Sequence, residues 1–96
     1  MSYSIEYSDD VEEYIKSQDR DRQRVILSHI LRMENAPFRN TKKLEPPLDR
    51  LYRARIGNDR LLFSIRENGV IYLEYMDDRR NIYKRAKRFE AARDSI

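Results

Sequence analysis

From Leu51 to Met76 the chain reads LYRARIGNDRLLFSIRENGVIYLEYM, three period-two runs separated by two glycine-bearing turns, and this stretch constrains the fold most. Such a pattern predicts an antiparallel meander. Between Leu51 and Ile56, alternation puts Tyr52, Ala54 and Ile56 on one face and Leu51, Arg53 and Arg55 on the other. Gly57-Asn58-Asp59 supplies the first turn. The second run opens with Arg60 and carries Leu61, Phe63 and Ile65 on one face, with Leu62 and Ser64 opposite. Asn68-Gly69 predicts a type I′ hairpin, which needs positive φ at both central positions. Val70 to Met76 is apolar on both faces except for Glu74, the pattern of a strand interior to a sheet.

The arginines are distributed unevenly over this meander. Arg53 and Arg55 alternate on one strand, Arg60 opens the next, and Arg79 and Arg80 follow the third. On one face of a sheet such cations can converge on a phosphate. The competing expectation pairs them with Asp59, Glu74, Asp77 and Asp78 as surface ion pairs, each contributing little.

The preceding segments read as support for that sheet. Tyr3, Ile5 and Tyr7 alternate with polar residues and predict a first strand. Ser8 is placed to cap a helix whose first turns carry Asp9, Asp10, Glu12 and Glu13, with Val11, Tyr14 and Ile15 as its apolar stripe. Asp19 or Asp21 can cap a second helix, in which Ile26, Leu27, Ile30, Leu31 and Met33 form a wider stripe. Together they predict a helical hairpin. Pro37 ends it, because the residue before a proline is pushed out of helical geometry. A loop from Phe38 to Arg50 follows, carrying Lys42 and Lys43 and anchored by Leu44 and Leu48. After the meander, Ala86, Phe89 and Ala92 give helical spacing to a basic segment, Lys84 to Ile96, with Lys84, Arg85, Lys87 and Arg88. The expected fold is therefore α+β, one domain over residues 1–96: N-terminal strand, helical hairpin, three-stranded meander and C-terminal helix, with the helices on one face of a four-stranded sheet.

Charge and composition exclude several kinds of chemistry. Met1 to Phe38 holds five basic and eight acidic residues, a net of −3, whereas Arg39 to Ile96 holds fifteen and nine, a net of +6. A basic half of this kind suits a polyanion, because clustered cations release counterions condensed on phosphate. With no cysteine there is no disulfide, thiolate metal site or cysteine nucleophile. His29, the only histidine, sits mid-helix with no second histidine to share a metal, and a structural role is expected for it. No cofactor or metal is expected, and the absence of a signal peptide or a membrane span points to a cytoplasmic protein.

The segment LYRARIGNDRLLFSI, the strand after it and DRRNIY resemble the RelE/ParE superfamily of toxin–antitoxin toxins, most closely its RelE branch. The opening YSIEYS, the Ala36-Pro37 hairpin end and KKLEPP fit as well, so the resemblance spans nearly the whole chain. It implies a RelE-like fold and a ribosome-dependent endonuclease that cleaves mRNA in the A site by 2′-hydroxyl attack. It also implies a cognate antitoxin, a toxin–antitoxin hetero-oligomer, and contact with the ribosome. By the same resemblance, the catalytic set is Arg53, Arg55, Arg60, Arg79 and Tyr83. Arg60 would meet transition-state charge, Arg79 would lie near the leaving group, and Tyr83 would stack on or orient the base. Lys42, Lys43, Arg80, Lys84, Arg85, Lys87 and Arg88 are the expected contacts to RNA or the ribosome. Bidentate arginines and a stacking aromatic suit in-line phosphate chemistry. RelE-type enzymes commonly have lysines where Arg53 and Arg55 stand, and arginine is a poor general base; Asp78, Tyr83 and Glu74 are the candidates for that role. Two alternatives stay open: a ParE-like inhibitor of DNA gyrase and a basic RNA-binding module without strong catalysis.

Overall fold

The three alternating runs pair as β3 (Tyr52–Ile56), β4 (Asp59–Ile65) and β5 (Val70–Asp78) in a computed structural model that describes residues 2–94. Two further strands extend this antiparallel meander. On one side β1 (Ser4–Tyr7) runs parallel to β5, and on the other β2 (Thr41–Lys43) runs antiparallel to β3, giving the order β1-β5-β4-β3-β2. Met1, Ser95 and Ile96, which the one-domain and C-terminal-segment expectations took in, lie outside the described residues.

Between β1 and β2 the chain crosses one face of the sheet as a hairpin of α1 (Asp9–Lys16) and α2 (Arg20–Met33). Both caps are side-chain oxygens. The Ser8 hydroxyl accepts from the Val11 amide at 3.2 Å and the Asp19 carboxylate from the Arg22 amide at 2.8 Å. Ser8 also donates its hydroxyl proton to the Glu74 carbonyl at 2.7 Å, so the start of α1 is fixed to β5. Val11, Ile15, Ile26, Ile30 and Met33 bury against Ala54, Ile56, Leu61, Phe63, Ile71, Leu73 and Met76. Burial of each large aliphatic or aromatic chain in this group contributes about 1.5–3 kcal/mol before entropy is counted.

A polar tie joins the hairpin to the β3–β4 turn. Asp59 is 6% exposed and accepts from Tyr14 Oη at 2.6 Å and from Arg22 Nε at 3.0 Å, while Arg22 also donates to the Ile56 carbonyl. Gly57 takes φ +62, and a Cβ there would stand 2.9 Å from Arg22 Nη2, so the turn accepts only glycine without rearrangement.

The fold departs from the expected one at several points. The sheet has five strands rather than four, because Thr41–Lys43 leaves the expected loop and pairs with β3. The helices do not share one face. The last, α3 (Ile82–Asp94), lies on the face opposite the hairpin, where Ile82 and Ala86 pack with Leu48, Leu51 and Leu62. Leu27 and Leu31 are 45% and 64% exposed, since the sheet reaches only the arc of α2 that holds Ile26, Ile30 and Met33. At Asn68-Gly69 only Gly69 has positive φ, and its amide donates to the Arg66 carbonyl. That is a type I turn closed by a left-handed glycine rather than a type I′ turn. The α+β class and the order of the expected elements are those observed.

Candidate functional site

The face that carries α3 also carries the basic residues of the meander. The register sets them in rows. Lys42, Arg53 and Leu62 are directly opposed across β2, β3 and β4, and Arg55, Arg60 and Asp77 across β3, β4 and β5. Directly opposed residues of an antiparallel ladder project to the same face. Arg79 joins the second row through the backbone, where its amide donates to the Asn58 carbonyl in the β3–β4 turn at 2.9 Å. Arg60 is held by that same turn: Nη1 donates to the Gly57 and Asp59 carbonyls, each at 2.9 Å. Carbonyls fix the guanidinium without neutralising it.

Tyr83 is half-buried one residue into α3, packed on the cluster of Leu48, Leu51, Leu62, Ile82 and Ala86. That cluster includes Leu62, the residue directly opposed to Arg53. Arg80 is exposed at the approach to α3, and Lys84, Lys87 and Arg88 are exposed on the helix itself. Lys43 lies on the other face, its Nζ 6.0 Å from the centroid of the Tyr52 ring.

Two ion-pair networks dock α3. In the first, Arg50 forks onto Glu74, Nη1 to Oε2 and Nη2 to Oε1, both at 2.6 Å, and reaches Glu90 through Nε at 2.6 Å and Nη2 at 2.8 Å. Ser64 donates to Glu74 and Tyr75 to Glu90, at 2.6 and 2.7 Å. A bulge in β5 between the partners of Leu62 and Phe63 makes this possible, because it sets Glu74 beside Tyr75 and toward α3. The Arg50 hydrogen bonds hold the Glu90 carboxyl below its usual range. Burial, then the bond to Glu90, pushes the Tyr75 hydroxyl well above its ordinary value. In the second network Arg85 pairs with Asp10 and Asp77 and donates to the Met76 carbonyl. This raises the guanidinium above its ordinary range, mainly through Asp10, and Arg85 is here a clasp between α3, β5 and α1 rather than a free cation.

The consequence for the basic face lies in which carboxylates are already engaged. Asp59 is held by Arg22 and Tyr14, Glu74 by Arg50, and Asp77 by Arg85. Asp78 accepts from the Arg80 and Asn81 amides and from the Asn81 side chain. These bonds, the Asn81 amide first, keep its carboxyl below its usual range, which disfavours it as a proton acceptor. Among the described residues, no carboxylate lies within ion-pairing distance of Arg53, Arg55, Arg60, Arg79 or Arg80. Arg53 Nε is buried with no hydrogen-bond partner. The competing expectation, surface ion pairs between these arginines and the four acids, is not what the chain forms.

Among the described residues no group of three or more His, Cys, Asp or Glu side chains could hold a metal ion. His29 is half-buried in α2, where burial and then Arg32 lower its pKa, which favours the neutral form, and it is remote in sequence from the arginines of the meander. No described helix is long and apolar enough to cross a membrane. Sequence reasoning missed Arg50 as the residue that docks α3, because both of its partners are distant in the chain. It also placed Lys42 in a loop; Thr41–Lys43 contains no apolar residue, so no alternation marks it as a strand.

No protein-family profile matches the sequence, and no curated protein matches it either. Solved structures do. The toxin–antitoxin complex RelBE2 of Mycobacterium tuberculosis contains a chain similar to this one with a TM-score of 0.75 at 18% identity, covering 82% of this chain and 100% of that one. The archaeal RelE–RelB complex of Pyrococcus horikoshii gives 0.71 at 27% identity, covering 82% and 97%. The Escherichia coli toxin RelE, in the free state and as a variant with two arginines replaced by alanine, gives 0.64 at 12% identity, covering 81% and 84%.

Proposed function

We propose that this chain, which shares the fold of RelE toxins, is the toxin of a toxin–antitoxin pair and cleaves mRNA in the ribosomal A site. One observation carries the nuclease role. The arginines of the basic face keep their charge, while each neighbouring acid is engaged by a different group. A surface that leaves guanidinium groups unneutralised gains most from binding a polyanion, and fork-shaped donors suit the equatorial oxygens of a phosphorane. In this scheme Arg53 and Arg55 hold the scissile phosphate, and Arg60, fixed by the turn carbonyls, meets the charge that develops on it. Arg79 lies toward the leaving group, and Tyr83 stacks on the base. Arg80, Lys84, Lys87 and Arg88 contact ribosomal RNA, with Lys43 toward the opposite rim.

Two of the structural relatives are complexes of a RelE with a RelB, which supports a cognate antitoxin as the partner that restrains this chain in a hetero-oligomer. The fold also fits a cytoplasmic toxin that meets its target on the ribosome.

The test uses ribosomes programmed with an mRNA in the A site. Wild type is expected to cleave within the A-site codon. Arg60→Ala and Arg79→Ala should each lose about 10²–10³-fold in cleavage rate, the scale of a lost transition-state charge donor. Tyr83→Phe keeps the stacking ring and is expected to retain most of the activity. An intact A-site codon after incubation with wild type would remove the nuclease role, and a stall of DNA supercoiling would then favour gyrase inhibition.

A further inference from the structure

Arginines can grip and neutralise a phosphate, yet a guanidinium gives up its proton too reluctantly to serve as an acid or a base. Attack by a 2′-hydroxyl forms a bond from the 2′-oxygen to phosphorus and breaks the bond from phosphorus to the 5′-oxygen. That 5′-oxygen departs as an alkoxide unless a proton reaches it. On the basic face, Glu74 is held by Arg50 and Ser64, Asp77 by Arg85, and Asp78 by Asn81 and backbone amides. All three are engaged as acceptors by other groups of the fold.

An amine stands on the same face. Lys42 lies opposite Arg53 in the β2–β3 register, and Arg55 is its diagonal neighbour. Side chains so opposed have Cβ atoms about 4.5–5.5 Å apart, well within the reach of a lysine. The orientation has an independent check. Lys43 stacks over Tyr52, whose ring packs against the hairpin-side core, so alternation along β2 sends Lys42 to the face of Arg53. Lys42 is exposed and has no carboxylate within ion-pairing distance among the described residues. The other described lysines lie elsewhere: Lys16 on α1, Lys43 on the opposite face, and Lys84 and Lys87 on the solvent side of α3.

The geometry points to Lys42 as the general acid of the site. Its ammonium donates a proton to the departing 5′-oxygen, the proton of the 2′-hydroxyl passes to water, and the amine left on Lys42 regains a proton from solvent. Lysine chemistry absent at Arg53 and Arg55 is thus supplied from the neighbouring strand. This role rests on the nuclease reading of the basic face.

The experiment compares two A-site mRNAs on programmed ribosomes, one ordinary and one with sulfur in place of the scissile 5′-oxygen. A thiolate leaves without needing a proton. Lys42→Ala is expected to slow cleavage of the ordinary mRNA by about 10²–10³-fold, the scale of a lost general acid, and to cleave the sulfur-substituted one at the wild-type rate. Lys42→Arg, which keeps the charge, should be as slow as Lys42→Ala on the ordinary mRNA. Equal slowing on both mRNAs would make Lys42 a binding residue and overturn its role as an acid, and so would an Ala variant as fast as wild type. Wild type inactive on both mRNAs would instead refute the nuclease reading, and the assignment of Lys42 with it. Normal turnover of the sulfur-substituted mRNA shows at the same time that the Ala variant is folded.

Discussion

Arg50→Met removes the cation that hydrogen-bonds both Glu74 and Glu90. Both residues are 5% exposed, and after the substitution they would face each other with only Ser64, Tyr75 and the largely exposed guanidinium of Arg93, 3.8 Å from Glu74, to offset them. Breaking a buried pair by deleting one partner costs about 3–5 kcal/mol. The Arg50 side chain is 34% exposed, so water screens part of this, and about 2–4 kcal/mol is the figure to expect. In a domain of this size that lowers Tm by ~10–30 °C, a large share of the 5–15 kcal/mol that usually separates folded from unfolded chains. The effect has a pH signature. In wild type the Glu90 carboxyl lies below its usual range, so its stabilising contribution is present at neutral pH and is lost as pH falls through the folded-state pKa. In the variant the Glu90 carboxyl is buried beside Glu74 without the Arg50 hydrogen bonds that hold it down, so burial raises it. Its penalty is then largest at neutral pH and is relieved as pH falls. Thermal unfolding of both proteins at pH 7 and pH 4.5, followed by circular dichroism, should show the gap in Tm narrowing at the lower pH. A pH-independent loss below about 1 kcal/mol would refute the buried network, since only exposed pairs are worth so little.

Tyr14→Phe deletes the 2.6 Å bond to Asp59 but leaves Arg22 in place, so chemical denaturation should report a loss of ~1–2 kcal/mol with an unchanged denaturant slope. Gly57→Ala forces a Cβ onto a residue at φ +62 and against the Arg22 guanidinium, and the same measurement should show ~1–3 kcal/mol lost.

The elements that local chemistry dictates were legible in the sequence. Ser8 and Asp19 act as caps, and the alternation from Tyr52 to Ile65 sorts side chains to the faces where they are found. It was equally legible that Arg53 and Arg55 share a face with Leu51, since period two requires it. What escaped depends on partners distant in the chain. Thr41–Lys43 becomes a strand because β3 offers it a free edge, not through any propensity of Thr-Lys-Lys. The placement of α3 opposite the hairpin follows from Arg50 and Arg85, whose acidic partners lie as far away as Asp10 and Glu90. Leu27 and Leu31 fit a helical stripe in sequence, yet the sheet is too narrow to cover them. The fate of the four acids near the arginines was the hardest to foresee, because their positions in sequence suit either kind of pairing.

The Ser8 hydroxyl has a further consequence. It accepts from the first turn of α1 and donates to the carbonyl of Glu74 at the β5 bulge, and two residues later Asp10 accepts from the Met76 amide and from Arg85 of α3. Three elements drawn from both ends of the chain therefore share one short joint. Fraying at the start of α1, melting of the bulge and release of the last helix are on this account a single opening event, with one free energy rather than three.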